Sequence, residues 1–210
     1  MTRLLIVAAL LVLGGCAAKP TVSENQCRAG DWQTIGYRDG ASGFASTRLL
    51  SHQEACGEFA IVPERTAYLT GWQEGLSSFC TADNGFNLGN RGASFNTVCA
   101  RDMAEPFATA YQDGRQLYLA RAEVNRLNRL INSKEARLDQ LKQEIVGATT
   151  AQLVPDLTPE ERIGLVAKLE DLISEREEIQ NELPELERDL TAAEYELDRL
   201  NQTLASVSYS

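Results

Sequence analysis

The apolar positions of the last hundred residues form two long helical series. Leu117, Ala120, Val124, Leu127, Ile131, Leu138, Leu141 and Ile145 recur at alternating steps of three and four, with Lys134 as the polar member of the seam. That spacing predicts a helix from about Met103 to Ile145. Gly147 to Pro155 reads as its break. Thr158-Pro159-Glu160-Glu161 then restarts a helix, with threonine as cap, proline in the first turn and glutamate at the third position. From Leu165 to Val207 leucines and their substitutes hold a heptad over about six repeats, and Arg176 is its charged member. Pro184 follows the seam residue Leu183 and so points outward; the phase continues beyond it, which predicts a bend rather than a stop.

Earlier in the chain the pattern changes to short repeats. Ile35-Gly36-Tyr37-Arg38-Asp39-Gly40, Thr70-Gly71-Trp72-Gln73-Glu74-Gly75 and Thr109-Ala110-Tyr111-Gln112-Asp113-Gly114 resemble one another. An aromatic residue stands four positions after each last glycine: Phe44, Phe79 and Tyr118. Tyr68, Trp72, Gly75 and Phe79 share one helical face, as do Phe107, Tyr111, Gly114 and Tyr118. Glycine inside a helix costs about 1 kcal/mol relative to alanine. Small residues four apart in three places therefore predict helices packed closely through glycine and aromatic faces. The recurring acids Asp39, Glu74 and Asp113 have two readings. They pair with arginines such as Arg38, Arg91 and Arg115 or face water, or they line a ligand groove with the aromatics. Between the second and third repeats, Asp83 to Gly92 reads as an irregular loop on its glycines and turn dipeptide. It lacks the ligand spacing of a calcium loop, and no βαβ pattern makes its glycines a dinucleotide site.

The N-terminus carries Arg3, then the ten-residue apolar run Leu4 to Leu13, too short to span a bilayer of about 30 Å. It ends in Leu13-Gly14-Gly15-Cys16, the form of a bacterial lipobox, which makes Cys16 the expected lipidation residue. Residues 1–15 are then a lipoprotein signal peptide, and residues 16–26 a polar tether. Ala17, by resemblance to enterobacterial lipoproteins, directs such a protein to the outer membrane facing the periplasm. Acyl chains on one cysteine anchor stably, since each buried CH₂ contributes about 0.8 kcal/mol.

Charge and cysteines sharpen this picture. The chain has 210 residues and a formal net charge of −10, which argues against a nucleic-acid partner. One histidine leaves no multi-histidine metal site, and no metal or cofactor is expected. From Arg115 to Glu144 seven bases outnumber four acids, whereas from Asp156 to Arg199 fifteen acids outnumber five bases. Opposite signs on arms joined by a short connection predict an antiparallel hairpin over 103–207, with its loop at about 147–158. Cys27, Cys56, Cys80 and Cys99 remain after Cys16, an even number suited to two disulfides in an oxidising compartment. Three pairings are open; locality favours Cys27–Cys56 and Cys80–Cys99.

The segment from Cys27 to Tyr118 resembles a domain family of unknown function found in short proteobacterial lipoproteins. The residues that carry the resemblance are Asp31-Trp32, Gly36-Tyr37-Arg38-Asp39-Gly40, Cys56, Gly75-Leu76, Phe79-Cys80, Cys99 and Ala110-Tyr111-Gln112-Asp113-Gly114. The resemblance implies an envelope protein, often ending in a coiled coil, and implies no functional residue.

The expected molecule is all-α: a disulfide-stapled helical repeat domain over 27–118, then the hairpin. Its expected role is that of a lipid-anchored scaffold for another envelope protein or the cell wall, without catalysis. The alternative is a glycan-, peptidoglycan- or peptide-binding module built from Asp39, Glu74, Asp113, Trp72, Arg91 and the loop 83–92. A hydrolytic enzyme would require two of the repeat carboxylates in one buried cleft.

Overall fold

The structure is a computed structural model that describes residues 20–207; the expected signal segment and Cys16 lie outside the described residues. The regular structure among the described residues is helical: α1 (Glu24–Ala29), α2 (Trp32–Ala41), α3 (Arg48–Gly57), α4 (Arg65–Phe79), α5 (Ala82–Asn90), α6 (Arg101–Ala151) and α7 (Pro159–Ala205). The chain divides into two compact units, one ending at Phe79 and the next beginning at Cys80. The domain expected over 27–118 is thus split. The tether expected over 16–26 is also folded from Thr21 onward. Val22 is buried in the first core, and Ser23 starts α1 with a capping box closed by Gln26.

In the first unit α2 packs on α4 through glycine on both sides. A Cβ added at Gly36 would lie 2.0 Å from Tyr68 O, and one at Gly40 would lie 2.1 Å from Trp72 O. Reciprocally, Gly71 faces Gln33 O at 1.9 Å and Gly75 faces Tyr37 O at 2.1 Å on the same measure. Partner numbers rise together on the two helices, so α2 and α4 run parallel, with α3 in the crossover between them. The Cys27–Cys56 disulfide, with Cα atoms 5.6 Å apart, ties α1 to the end of α3.

The second unit repeats this device with a helix that the sequence pattern hid. Residues 83–92, expected as an irregular loop, are mostly α5, capped by Thr81 through the Asn84 N–H. Gly85 and Gly89 let α5 lie against α6, their Cβ positions 2.3 Å from Phe107 O and 2.1 Å from Tyr111 O. Gly114 answers from α6, 2.1 Å from Phe86 O. This pair is parallel too. Packing against α6 offsets the low helix propensity of the glycines. The three expected repeats are therefore four faces, arranged as two pairs. The connection between α5 and α6 is stapled by Cys80–Cys99, Cα atoms 5.6 Å apart. Both favoured disulfide pairings are present. Loop-closure entropy over separations of 29 and 19 residues makes each worth roughly 3–4 kcal/mol.

α6 and α7 form the antiparallel hairpin. α6 passes through Gly147, where the sequence suggested a break, and ends at Ala151. Ala148 is buried with Leu141, Leu172 and Ile179, and this seam holds the extra turn. Thr158, Pro159 and Glu161 restart the chain as a capping box, and α7 continues through Pro184. The charge pattern is realised in pairs across the seam. Arg137 donates from Nε and Nη2 to the two oxygens of Glu175, each at 2.7 Å, and Lys134 pairs with Glu182. The Arg137 hydrogen bonds hold the Glu175 carboxyl below its ordinary value.

Glycines that face backbone and glycines that face space should respond oppositely. Gly114→Ala should destabilise the second unit by about 2 kcal/mol or more, because the partner is a rigid carbonyl. Gly164→Ala, with nothing within 4 Å, should stabilise it by about 0.5–1 kcal/mol. Urea denaturation followed by circular dichroism checks both signs.

Candidate functional site

The first unit contains a polar cluster in its core. Asp39 on α2 is 8% exposed, His52 on α3 is 1% exposed and Tyr68 on α4 is fully buried. Asp39 Oδ2 accepts from Tyr68 O–H at 2.7 Å and lies 2.7 Å from His52 Nε2. On the far side of the imidazole, Thr21 Oγ1 lies 2.6 Å from Nδ1. An ionised Asp39 can only accept, so His52 donates from Nε2, and Thr21 Oγ1 is the hydrogen-bond partner of its Nδ1. Arg48 closes the cluster as an ion pair, with Nε 3.2 Å from Asp39 Oδ1 and its guanidinium carbon 3.8 Å above the Phe44 ring.

Burial pushes the Asp39 carboxyl up. The hydrogen bonds from His52 and Tyr68, with the charges of His52 and Arg48, outweigh burial and hold the group below its ordinary value. Burial, then the bond to Asp39 and its charge, drive the Tyr68 phenol well above its ordinary value. Hydroxyl, imidazole and carboxylate follow one another in the order of an activated nucleophile. Here they sit in the core, and the chain Thr21–His52–Asp39–Tyr68 joins the segment before α1 to α2, α3 and α4. Sequence reading missed this cluster. Its signal was the sole histidine on the stripe Leu49–His52–Cys56, whose three members are all buried.

The other candidates are dispersed. Glu74 is exposed on α4 and accepts from Gln33 Nε2 at 3.3 and 3.2 Å. It shares no buried cleft with Asp39. Trp72 is half-buried and donates from Nε1 to Phe44 O at 2.8 Å. Asp113 and Arg91 belong to the second unit, Asp113 half-buried on α6 and Arg91 exposed just after α5. Tyr118, expected on the buried aromatic face, is instead exposed and stacks under Arg115, whose guanidinium carbon is 4.8 Å from the ring centroid. Phe95, 45% exposed itself, packs its ring on this face, with centroids 6.0 Å from Phe107 and 5.0 Å from Tyr111. Among the described residues no group of three or more His, Cys, Asp or Glu could hold a metal ion.

Residues 31–116 match the family described as Protein of unknown function (DUF2799). No curated protein and no solved structure matches the chain. The DUF2799 match opens at Asp31, whose side chain caps α2 through the Thr34 N–H, and closes just beyond Gly114. It takes in all four glycine-bearing faces and the Asp39–His52–Tyr68 cluster, and it stops before most of the hairpin.

Asp39→Asn turns an amide NH2 toward either Arg48 or the His52 and Tyr68 donors and leaves Arg48 without its counter-charge, so it should cost about 3 kcal/mol or more. A carboxyl held below its unfolded value stabilises fully above that value and loses its contribution as pH falls through the folded one. The stability gap between parent and Asp39→Asn should therefore shrink below about pH 4. Denaturant midpoints of both proteins across pH 3–8 measure this.

Proposed function

We propose that the protein is an envelope lipoprotein, anchored through Cys16 in the outer membrane and facing the periplasm, that acts as a scaffold for another protein. The observation that carries this reading is the tip of the hairpin. Leu153 is 78% exposed and Ile163 is 70% exposed, and their neighbours in the turn and the first turns of α7, Val154 and Val166, are exposed as well. Ile163, Val166 and Ala167 line an open depression of about 300 Å³ between Arg162 and Glu170. Apolar side chains gathered in one patch on a folded surface mark an interaction site. The turn beneath them is stitched: Arg162 donates to Gln152 O at 3.2 Å and to Val154 O and Pro155 O at 3.3 Å. A pre-ordered apolar tip loses little conformational entropy when a partner covers it. No described helix is long and apolar enough to cross a membrane. The anchor rests on the apolar run and Leu13-Gly14-Gly15-Cys16.

Two measurements test this. Radiolabelled palmitate should enter the parent and not Cys16→Ser; equal labelling would remove the anchor. A photo-crosslinking amino acid at Leu153 should give a discrete protein adduct in cells, weakened several-fold by Ile163→Glu. An adduct from exposed Tyr195 on the shaft of α7 but none from Leu153 would remove the scaffold role of the tip.

A further inference from the structure

Several bases of the second unit are paired with acids. Along the hairpin Arg126 pairs with Glu123, Lys134 with Glu182, Arg137 with Glu175 and Glu144, Lys142 with Asp139, and Arg199 with Glu196. Arg91, Arg115, Arg121 and Arg129 make no ion pair within 4.0 Å among the described residues. They cluster: Arg91, Arg121 and Arg129 line one open basin of about 450 Å³ with Asn90, Tyr118 and Asn125, and Arg115 lies over the Tyr118 ring. In a chain of net charge −10, these guanidiniums concentrate positive charge in one place.

The basin is organised before any ligand arrives. Arg121 donates from Nη2 to Asn90 O at 2.7 Å and to Asn90 Oδ1, and from Nε to Leu117 O at 3.3 Å. Its Nη1 remains without a partner among the described residues. Arg115 Nη1 donates to Gly92 O at 3.3 Å, which fixes the Gly92 turn beside Tyr118. That turn has φ +76°, and a Cβ on Gly92 would meet the Tyr118 ring at 2.4 Å. Two positioned guanidiniums, two free ones and the side-chain amide of Asn125 suit an anion with several oxygens. A monocarboxylate engages one such fork, whereas a phosphate ester can accept from three. The Tyr118 ring and Ala122 give the basin an apolar wall for the group the phosphate carries.

We propose that this basin binds a phosphate ester, with Arg91, Arg121 and Arg129 contacting the phosphate oxygens and Tyr118 packing against the esterified group. The site is independent of the apolar tip and of the lipid anchor. Its ligand is either a soluble phosphorylated sugar or the phosphate headgroup of a lipid, and the test separates the two.

Calorimetric titration of the full chain in non-ionic detergent would use inorganic pyrophosphate as the probe. Saturable binding should weaken at least 10-fold in Arg91→Gln/Arg129→Gln, whose exposed side chains make no ion pair among the described residues. It should be unchanged in Arg188→Gln, a base paired with Glu185. Glucose 1-phosphate displacing pyrophosphate better than dihexanoylphosphatidic acid would assign a soluble ligand, and the reverse order a lipid headgroup. Absence of saturable pyrophosphate binding, or equal binding by parent and double variant, would overturn the proposal.

Discussion

Both units depend on the contact of one helix backbone with another. At Gly36, Gly40, Gly71 and Gly75, and again at Gly85, Gly89 and Gly114, a carbonyl oxygen of the partner helix occupies the place where a side chain would begin. Two helices can approach this closely only where neither carries a Cβ, and at that distance Cα–H groups meet carbonyls directly. The contact is made by parallel neighbours, which a short turn cannot join. A crossover follows from it, α3 in one unit and the 91–100 connection in the other. Each crossover is tied down by a disulfide, a covalent constraint placed where a small core would otherwise leave chain free.

The hairpin solves a different problem by different means. Its seam is narrow, and it buries leucine, isoleucine and alanine at only a few fully enclosed positions. Selectivity of pairing comes from charge: a basic α6 and an acidic α7 attract each other, while two copies of α7 would repel. The bidentate Arg137–Glu175 pair fixes one point of this seam by geometry as well as by charge.

Periodicity made the hairpin legible because its signal extends over many turns. The helix period, the restart at Thr158 and the opposite charges of the arms all lie in the sequence pattern. The disulfide partners were legible through locality. α5 was not, because Asp83-Asn84-Gly85-Phe86-Asn87-Leu88-Gly89 has the local composition of a turn; its helix exists only because Gly85 and Gly89 rest on α6. The end of α6 was misplaced for the same reason, since Gly147 signals a stop and the packing of Ala148 overrides it. Asp39 was singled out as a candidate for binding. Its partners were hidden, because Thr21, His52 and Tyr68 come from three other segments and converge only in three dimensions.

The extent of the family match separates scaffold from candidate surfaces. Residues 31–116 contain the glycine contacts and the buried Asp39 cluster, which are features of packing. Tyr118, Arg121 and Arg129 lie beyond the matched span, as do Leu153 and Ile163; of the basin only Asn90 and Arg91 fall within it. The match therefore accounts for how two close helix pairs are built, and it reaches little of the surface on which recognition would occur. Both candidate surfaces draw mostly on residues of the hairpin. A buried charge is constrained by folding, whereas unmatched guanidiniums and exposed leucine and isoleucine are dispensable for it. Their clustering is consequently the feature of this chain that stability alone does not explain.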